Sequence, residues 1–486
     1  MFERQTRDME RLLRAKLRAR GWIHTLLCAA VASMFSSPAQ SEKPAELPPT
    51  GQIGNVVCIS DATQSYALYL PSSYTPARRW PIIYFFDPGG RGGRPIELYR
   101  DIAEKYGFIF AGSNNSRNFS GNQSNAVNAI WLDTHQRLAI DERRSYASGF
   151  SGGARVAGAM ALSGAEGQIA GVIAHGAGYP SSRAVPKDSF HYFFAVGDQD
   201  FNWPEIMNVR HRREEAGLPY RVRVFAGPHQ WAPAVVMEEA VQWINLKAIQ
   251  AGTLAPDASF IDQMFRQRQA EADDAEKKKD ALAELSAYRS LTSDFSGLKD
   301  VAAAAAKLTA LKQSPALKVA STAELEEISD QSRIEGEILP LIDAYAQGSA
   351  PDPTALRLEI HQRIGGLRDQ AAHSKNEKTR LVSSCAFEGI WAQAIESGQR
   401  ELEQRHFERA EAYFDLMRQV TDRPWPALLL AETHASAGSK KQALRDLQEA
   451  VKRGLKDAEV LQSDPRLQGL KDDPEFQKLV ASLTGK

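Results

Sequence analysis

The spacing of hydrophobic positions changes character once along the chain, near residue 255. Before that point, short apolar or alternating runs are separated by longer segments with helical spacing. Residues 65–71 (SYALYLP) alternate, while 81–86 (PIIYFF) and 108–114 (FIFAGSN) are continuous apolar runs. Residues 144–149 (RSYASG), 169–175 (IAGVIAH), 192–197 (YFFAVG) and 220–227 (YRVRVFAG) complete the predicted strands. Helical periodicity covers 95–106, 123–139, 202–217 and 232–248. Apolar strands alternating with helices predict an α/β domain over 53–250, with a mostly parallel central sheet covered on both faces.

Beyond residue 255, Ala, Leu, Glu, Lys and Gln dominate and strand formers are sparse. Residues 261–291 read as one long helix or a broken pair, and later breaks fall at Pro and Gly within 347–353, 421–426 and 437–441. The prediction is an all-α domain over 256–486. Within it Ala410, Phe414 and Met417 are echoed by Ala443, Leu447 and Ala450 at an offset of 33, with Leu430, Ala431 and Gly438 between them. This spacing near 400–455 resembles the tetratricopeptide family, whose unit is a helix pair; generic helix packing gives similar patterns. Residues 463–480 read as the cap that closes such a stack.

A chain of 486 residues, 43% hydrophobic and 24% charged, is long enough for two domains. Its formal net charge of -1 gives no bulk attraction to nucleic acid, and no nucleic-acid partner is expected. Three cysteines are too few for a disulfide framework; Cys58 and Cys385 sit in different predicted domains and are expected to be free thiols. Residues 11–20 carry five positive charges, 22–34 are apolar, and small residues follow at 37–39. This is the layout of a signal peptide over 1–39, followed by a Pro-rich linker over 40–52. The expected location is secreted or periplasmic, with no stable membrane span after processing, because the apolar run is too short to cross a bilayer. An amphipathic anchor or a disordered tail is the alternative.

Candidate chemistry centres on Gly149-Phe150-Ser151-Gly152-Gly153, a G-x-S-x-G pattern. Alone the pattern is weak. Its context, a predicted strand before and a predicted helix after, is what a nucleophile held on a strained turn requires. A serine needs a base and a group to orient it. Downstream, one strand ends in Asp198 and Asp200 and another in His229. Carboxyl ends of strands are where open α/β sheets carry their sites. Asp200 is preferred as the acid, because Asp198 follows Gly197 directly and is suited to holding the turn. His175, His191 and His211 are expected in structural or surface roles. The oxyanion hole is expected from the N–H of Gly152 and one more donor after the strand at 81–86. Pro88 has no N–H, which leaves Gly89, Gly90 or Arg91.

The segments "YLP", "PIIYFFDPGG", "DERRSYASGFSGGARVA", "GDQD" and "GPHQW" resemble the α/β-hydrolase superfamily over 55–248, in its lidless polyhydroxyalkanoate depolymerase-like and feruloyl or acetyl-xylan esterase-like branch. The resemblance implies Ser151 as nucleophile, His229 as base and Asp200 as acid. Members of that branch usually carry a His-Gly pair after the first long buried strand, where this chain has Asp87-Pro88, so support for the oxyanion loop must differ. The short loop after His175 predicts an open site, suited to an exposed or bulky ester, polymeric or carbohydrate-linked. Asn115 and Arg117 in the polar loop after residue 114, together with Trp203 and Trp231, are candidate substrate contacts; Asn122 and Trp131 are weaker ones. No metal-ligand spacing is present and no cofactor is predicted. Alternatives are a serine peptidase of the same fold, or a helical scaffold that binds a partner protein beside a degenerate hydrolase domain.

Overall fold

The computed structural model describes residues 47–163, 169–178 and 190–484. The predicted signal peptide and the first part of the linker lie outside the described residues.

Among the described residues eight strands form one sheet: β1 (Ile53–Val57), β2 (Ser65–Tyr69), β3 (Trp80–Phe86), β4 (Ile109–Ser113), β5 (Ile140–Phe150), β6 (Gly171–His175), β7 (His191–Gln199) and β8 (Tyr220–Pro228). Their order is β1-β2-β4-β3-β5-β6-β7-β8. β2 runs antiparallel to both β1 and β4, and every pairing from β4 across to β8 is parallel. That order and polarity are those of the α/β-hydrolase fold.

Among the described residues five helices cover the sheet: α1 (Gly93–Tyr106), α2 (Gln123–Arg137), α3 (Gly152–Ser163), α4 (Trp203–Glu215) and α5 (Ala234–Gln250). Side chains alternate along a strand, so one strand feeds two cores. Ile82, Tyr84 and Phe86 of β3 pack on Ile130, Ala157 and Met207 of α2, α3 and α4. Ile83 and Phe85 face the other way, onto Ile96, Tyr99, Met237 and Val241 of α1 and α5. β5 begins earlier than its apolar pattern suggests. Ile140 pairs with Trp80 and Ser145 with Ile82, so the charged residues 141–144 bulge out of the ladder between two paired positions.

The helical region follows as α6 (Ala258–Lys278), α7 (Ala281–Asp294), α8 (Ala302–Lys312), α9 (Pro315–Ala346), α10 (Pro353–His373), α11 (Glu377–Glu403), α12 (Phe407–Val420), α13 (Trp425–Ser436), α14 (Lys440–Lys452), α15 (Ala458–Ser463) and α16 (Pro474–Thr484), with a 3-10 turn at Pro465–Leu470. The 261–291 segment is a broken pair: Lys279 has a left-handed φ of 56° and Asp280 caps α7 through the Ala283 N–H. All six echoed positions of the weak repeat are buried. Leu467, Leu470, Phe476 and Val480 close the same apolar cluster as Ala443 and Leu447.

The sheet and the helices belong to one compact unit, Ala45–Lys486. Contacts at two edges of the sheet help to hold them together. At the β8 edge, Arg221 bonds Glu239 of α5 at 2.6 Å and Asp294 of α7 at 2.9 Å. Trp243 Nε1 and Lys247 Nζ complete the shell of Asp294 at 2.8 and 3.0 Å. At the carboxyl edge, α9 crosses α4: Arg210 Nη1 bonds Glu324 at 3.2 Å, and Gln331 Nε2 donates to the Phe201 carbonyl at 2.7 Å.

Removing one partner of a buried ion cluster strands the others without water. Arg221→Ala is therefore expected to lower the unfolding free energy by about 3–5 kcal/mol in urea titration. A loss under about 1 kcal/mol would mean that the cluster is solvated like a surface pair.

Candidate active site

The sequence folds into a sharp turn at Ser151 because three parallel strands end side by side there. Phe150 of β5 pairs with His175 of β6, and His175 with Ala195 of β7. One strand further, Gln199 of β7 pairs with Pro228 of β8. Ser151, Asp200 and His229 thus all follow the carboxyl ends of neighbouring strands.

Ser151 has φ 53°, a left-handed conformation that costs a non-glycine residue on the order of 1–3 kcal/mol. Its N–H donates to the His175 carbonyl at 2.8 Å, which ties the turn to β6. Helix α3 starts at the next residue and presses into the sheet. A Cβ on Gly153 would lie 1.9 Å from the Phe86 carbonyl oxygen, so only glycine fits there. The first turn of α3 directs N–H groups and the positive end of the helix toward the serine.

His229 Nδ1 lies 2.9 and 3.0 Å from the two Asp200 oxygens. Asp200 is fully buried and also accepts the Asn202 N–H at 2.8 Å. A carboxylate on Nδ1 leaves Nε2 as the free face of the ring. The ring is sandwiched between Phe150 and Phe201, with centroids at 4.6 and 4.3 Å. Gly176, next to His175, sits against both Asp200 Oδ2 and His229 Nδ1. These contacts gather the three predicted residues into one cluster. Among the described residues no hydrogen bond joins Ser151 Oγ to His229; such bonds are often long without substrate. Asp198 instead accepts the Gly227 N–H at 3.0 Å and holds the turn after β8.

The Asp87-Pro88 departure has a structural answer. Asp87 is fully buried and gathers the whole loop. Its carboxylate accepts Gly89 N–H at 2.8 Å, Arg91 Nε at 2.9 Å and Trp231 Nε1 at 3.1 Å, and its carbonyl accepts Gly90 N–H at 2.9 Å. Of the expected oxyanion donors, Gly89 and Gly90 are therefore engaged within their own loop. Arg91 lies in a segment that packs over β4, on the far side of β3 from Ser151: Gly92 N–H bonds Asn114 Oδ1 at 3.2 Å, and a Cβ on Gly92 would lie 2.0 Å from the Gly112 carbonyl.

The candidate substrate contacts divide. Arg117 lines a cavity of about 260 Å³ with Pro88, Gly89, Asn118, Gln399 and Arg466. Asn115 does not face it: its carboxamide accepts Ser65 N–H at 2.8 Å and donates to the Thr63 carbonyl at 3.2 Å, bracing β2. Trp231 is 6% exposed and lies behind the site, against Phe85, Tyr99, Phe150 and His175. Trp203 packs into the core and lines a separate cavity beside β8. Asn118, Phe201 and Glu396 carry no local signal, because what brings them near the site is contact between segments far apart in the chain.

The loop after His175, from which an open site is expected, lies at 179–189 outside the described residues; at the site itself exposure is low. Ser151 is 8% exposed and the His229 side chain 17%. The cover comes from the distant helical region. A Cβ on Gly389 of α11 would lie 3.6 Å from Phe201 Cβ, and Phe201 packs at a tilt against His229. Arg400 of α11 stands over the Phe119 ring at 5.8 Å. A second cavity of about 290 Å³ lies between Arg155, Phe201 and Glu205 on one side and Glu335, Gln393 and Glu396 on the other. Burial pushes the Glu335 carboxyl up to about 7, and raises that of Glu396 as well. Arg155 pairs with Glu205 at 2.6 Å. Cys58 and Cys385 are free and buried, and burial pushes both thiols up. Among the described residues no group of His, Cys, Asp and Glu is arranged to hold a metal.

No protein-family model and no curated protein matches the chain. Among solved structures it is similar to the fluorophosphonate-binding serine hydrolase F of Staphylococcus aureus, at 12% identity and TM-score 0.34, over 40% of this chain and 99% of that one. It is similar to S-formylglutathione hydrolase from the same organism, at 11% identity and TM-score 0.32, over 41% and 99% of the two chains. The feruloyl esterase module of Clostridium thermocellum, complexed with sinapinate, gives 15% identity and TM-score 0.32 over 41% and 90%.

His175 supports the site from below. It is fully buried between Tyr99 and Trp231, accepts the Ala232 N–H on Nδ1 at 3.4 Å and faces Ser148 Oγ with Nε2 at 3.3 Å. Burial pulls its pKa from 6.5 down to about 3. The unfolded chain then takes up this proton first as pH falls. Stability is fully present above pH 6.5 and declines from there toward pH 3, by about 1.4 kcal/mol per pH unit. Urea titrations at pH 7 and pH 5 are expected to show an acid loss that is smaller by about 2 kcal/mol in His175→Gln than in the wild type. Equal losses in both would mean that His175 titrates alike folded and unfolded.

Proposed function

We propose that the chain is a serine hydrolase that cleaves carboxylic esters through Ser151, His229 and Asp200. The observation that carries this reading is the pairing of a serine in a left-handed strand-to-helix turn with a histidine held at 2.9 Å by a buried aspartate on an adjacent strand end. Asp200 keeps the Nδ1–H tautomer, so Nε2 accepts the Ser151 proton as Oγ attacks the acyl carbon. Negative charge develops on the carbonyl oxygen against the Gly152 N–H and the α3 N-terminus. His229 then returns the proton to the leaving alcohol. A water molecule repeats the cycle and releases the acid from the acyl-enzyme.

The same reading favours a compact ester over a polymer. Two cavities, of about 260 Å³ beside Asn118 and about 290 Å³ beside Phe201, are both walled in part by the helical region. Arg117 in the first suits a carboxylate or hydroxyl on the substrate. In this proposal the helical region is a cover for the site rather than a dock for another protein. Export to an oxidising compartment remains part of the proposal; among the described residues no helix is long and apolar enough to cross a membrane.

Hydrolysis of 4-nitrophenyl esters of increasing acyl length tests both parts. The wild type is expected to prefer short acids, with kcat/KM falling at least tenfold from butyrate to decanoate. Ser151→Ala is expected to abolish turnover and leave the melting temperature within a few degrees. Undiminished activity of Ser151→Ala would overturn the nucleophile, and a rise in kcat/KM with chain length would overturn the compact substrate.

A further inference from the structure

The oxyanion of an ester hydrolase needs more than one donor, and the usual backbone source is closed here. Pro88 has no N–H. Gly89 and Gly90 donate to Asp87 at 2.8 and 2.9 Å, and Gly92 donates to Asn114 at 3.2 Å. Arg91 lies between the last two, on the β4 side of β3, whereas Ser151 follows β5 on the other side.

A different segment reaches the serine. After β4 the chain turns back, and Asn118 N–H bonds the Pro88 carbonyl at 2.9 Å. Its side chain then lies on the first residue of α3. A Cβ on Gly152 would stand 2.1 Å from Asn118 Oδ1 and 2.4 Å from Nδ2. The carboxamide can approach this closely only because residue 152 is glycine. It also lines the cavity of about 260 Å³, and among the described residues its side-chain amide makes no hydrogen bond. An idle carboxamide against the Gly152 backbone, facing a cavity, has the chemistry of an oxyanion donor: it is neutral in the ground state, and its N–H is polarised toward any developing negative charge.

We propose that Asn118 Nδ2 is the second oxyanion donor, acting together with the Gly152 N–H. This rests on the reading of Ser151 as nucleophile. As Ser151 Oγ bonds to the acyl carbon, its proton passes to His229 Nε2 and the carbonyl π pair moves onto oxygen. Asn118 donates to that oxygen and withdraws when the pair returns and the alcohol leaves. The role belongs to the tetrahedral stage, so binding of planar substrate is little affected.

The experiment compares wild type, Asn118→Leu and Asn118→Asp. Each is assayed for 4-nitrophenyl butyrate hydrolysis and for inhibition by a trifluoromethyl ketone, which adds Ser151 to form an anionic hemiketal. Both variants are expected to lose on the order of 100- to 1000-fold in kcat, with KM within twofold, and to bind the ketone more weakly by a similar factor. Asn118→Asp matches the native shape, so its loss is not one of packing. Retention of kcat within threefold in both variants overturns the proposal. So does a loss confined to KM, which would make Asn118 a wall of the cavity. A wild type that neither turns over the ester nor binds the ketone would instead overturn the serine-hydrolase reading itself.

Discussion

The site depends on how closely helix α3 is pressed into the carboxyl edge of the sheet. Gly153 touches the Phe86 carbonyl, and a Cβ on Gly149 would lie 2.2 Å from the Gly153 carbonyl oxygen. That contact leaves Ser151 no relaxed conformation and fixes it in the left-handed region, with its N–H tied to His175. The strain is held by buried strands on either side, which a flexible loop could not do. The same approach brings the positive end of α3 to the serine and leaves Gly152 bare, so that Asn118 comes to lie against it.

Asp87 plays the matching part on the other side. A buried carboxylate is costly unless its lone pairs are satisfied. Here Gly89, Arg91 and Trp231 satisfy them. The result is a tight loop, turned in on itself. Trp231 connects the loop to His175 and Phe150, so one apolar layer links the Asp87 loop to the turn at Ser151 and, through Phe150, to His229. Above the site, Phe201 joins His229 to α9 and α11. The helical half is thereby part of the site's surroundings.

Local pattern carried much of this into view. Strand and helix positions in the α/β half were legible because buried parallel strands are short apolar runs with charged helices between them. That Ser151, Asp200 and His229 each follow a strand end was legible from the apolar runs that precede them. What escaped depends on long-range contact. β1 has no apolar run of its own, since only Val56 is buried in it, and β5 hides its start behind the bulged residues 141–144. Trp203 and Trp231 neighbour site residues in sequence but turn into cores. Asn115 and Asn118 are alike as letters, and only the fold makes one a brace for β2 and brings the other to Gly152. The cover over the site was unreadable because it comes from residues 331–400, long after Ser151, Asp200 and His229 in the chain.

The central claim is that Ser151 is an activated nucleophile in a recessed but reachable site. Incubation of the full chain with a fluorophosphonate, followed by intact mass and peptide mapping, tests it most directly. One equivalent of adduct is expected, on the peptide that contains Ser151, with loss of labelling in His229→Ala. No adduct, or an adduct on another serine with Ser151 unmodified, would contradict it.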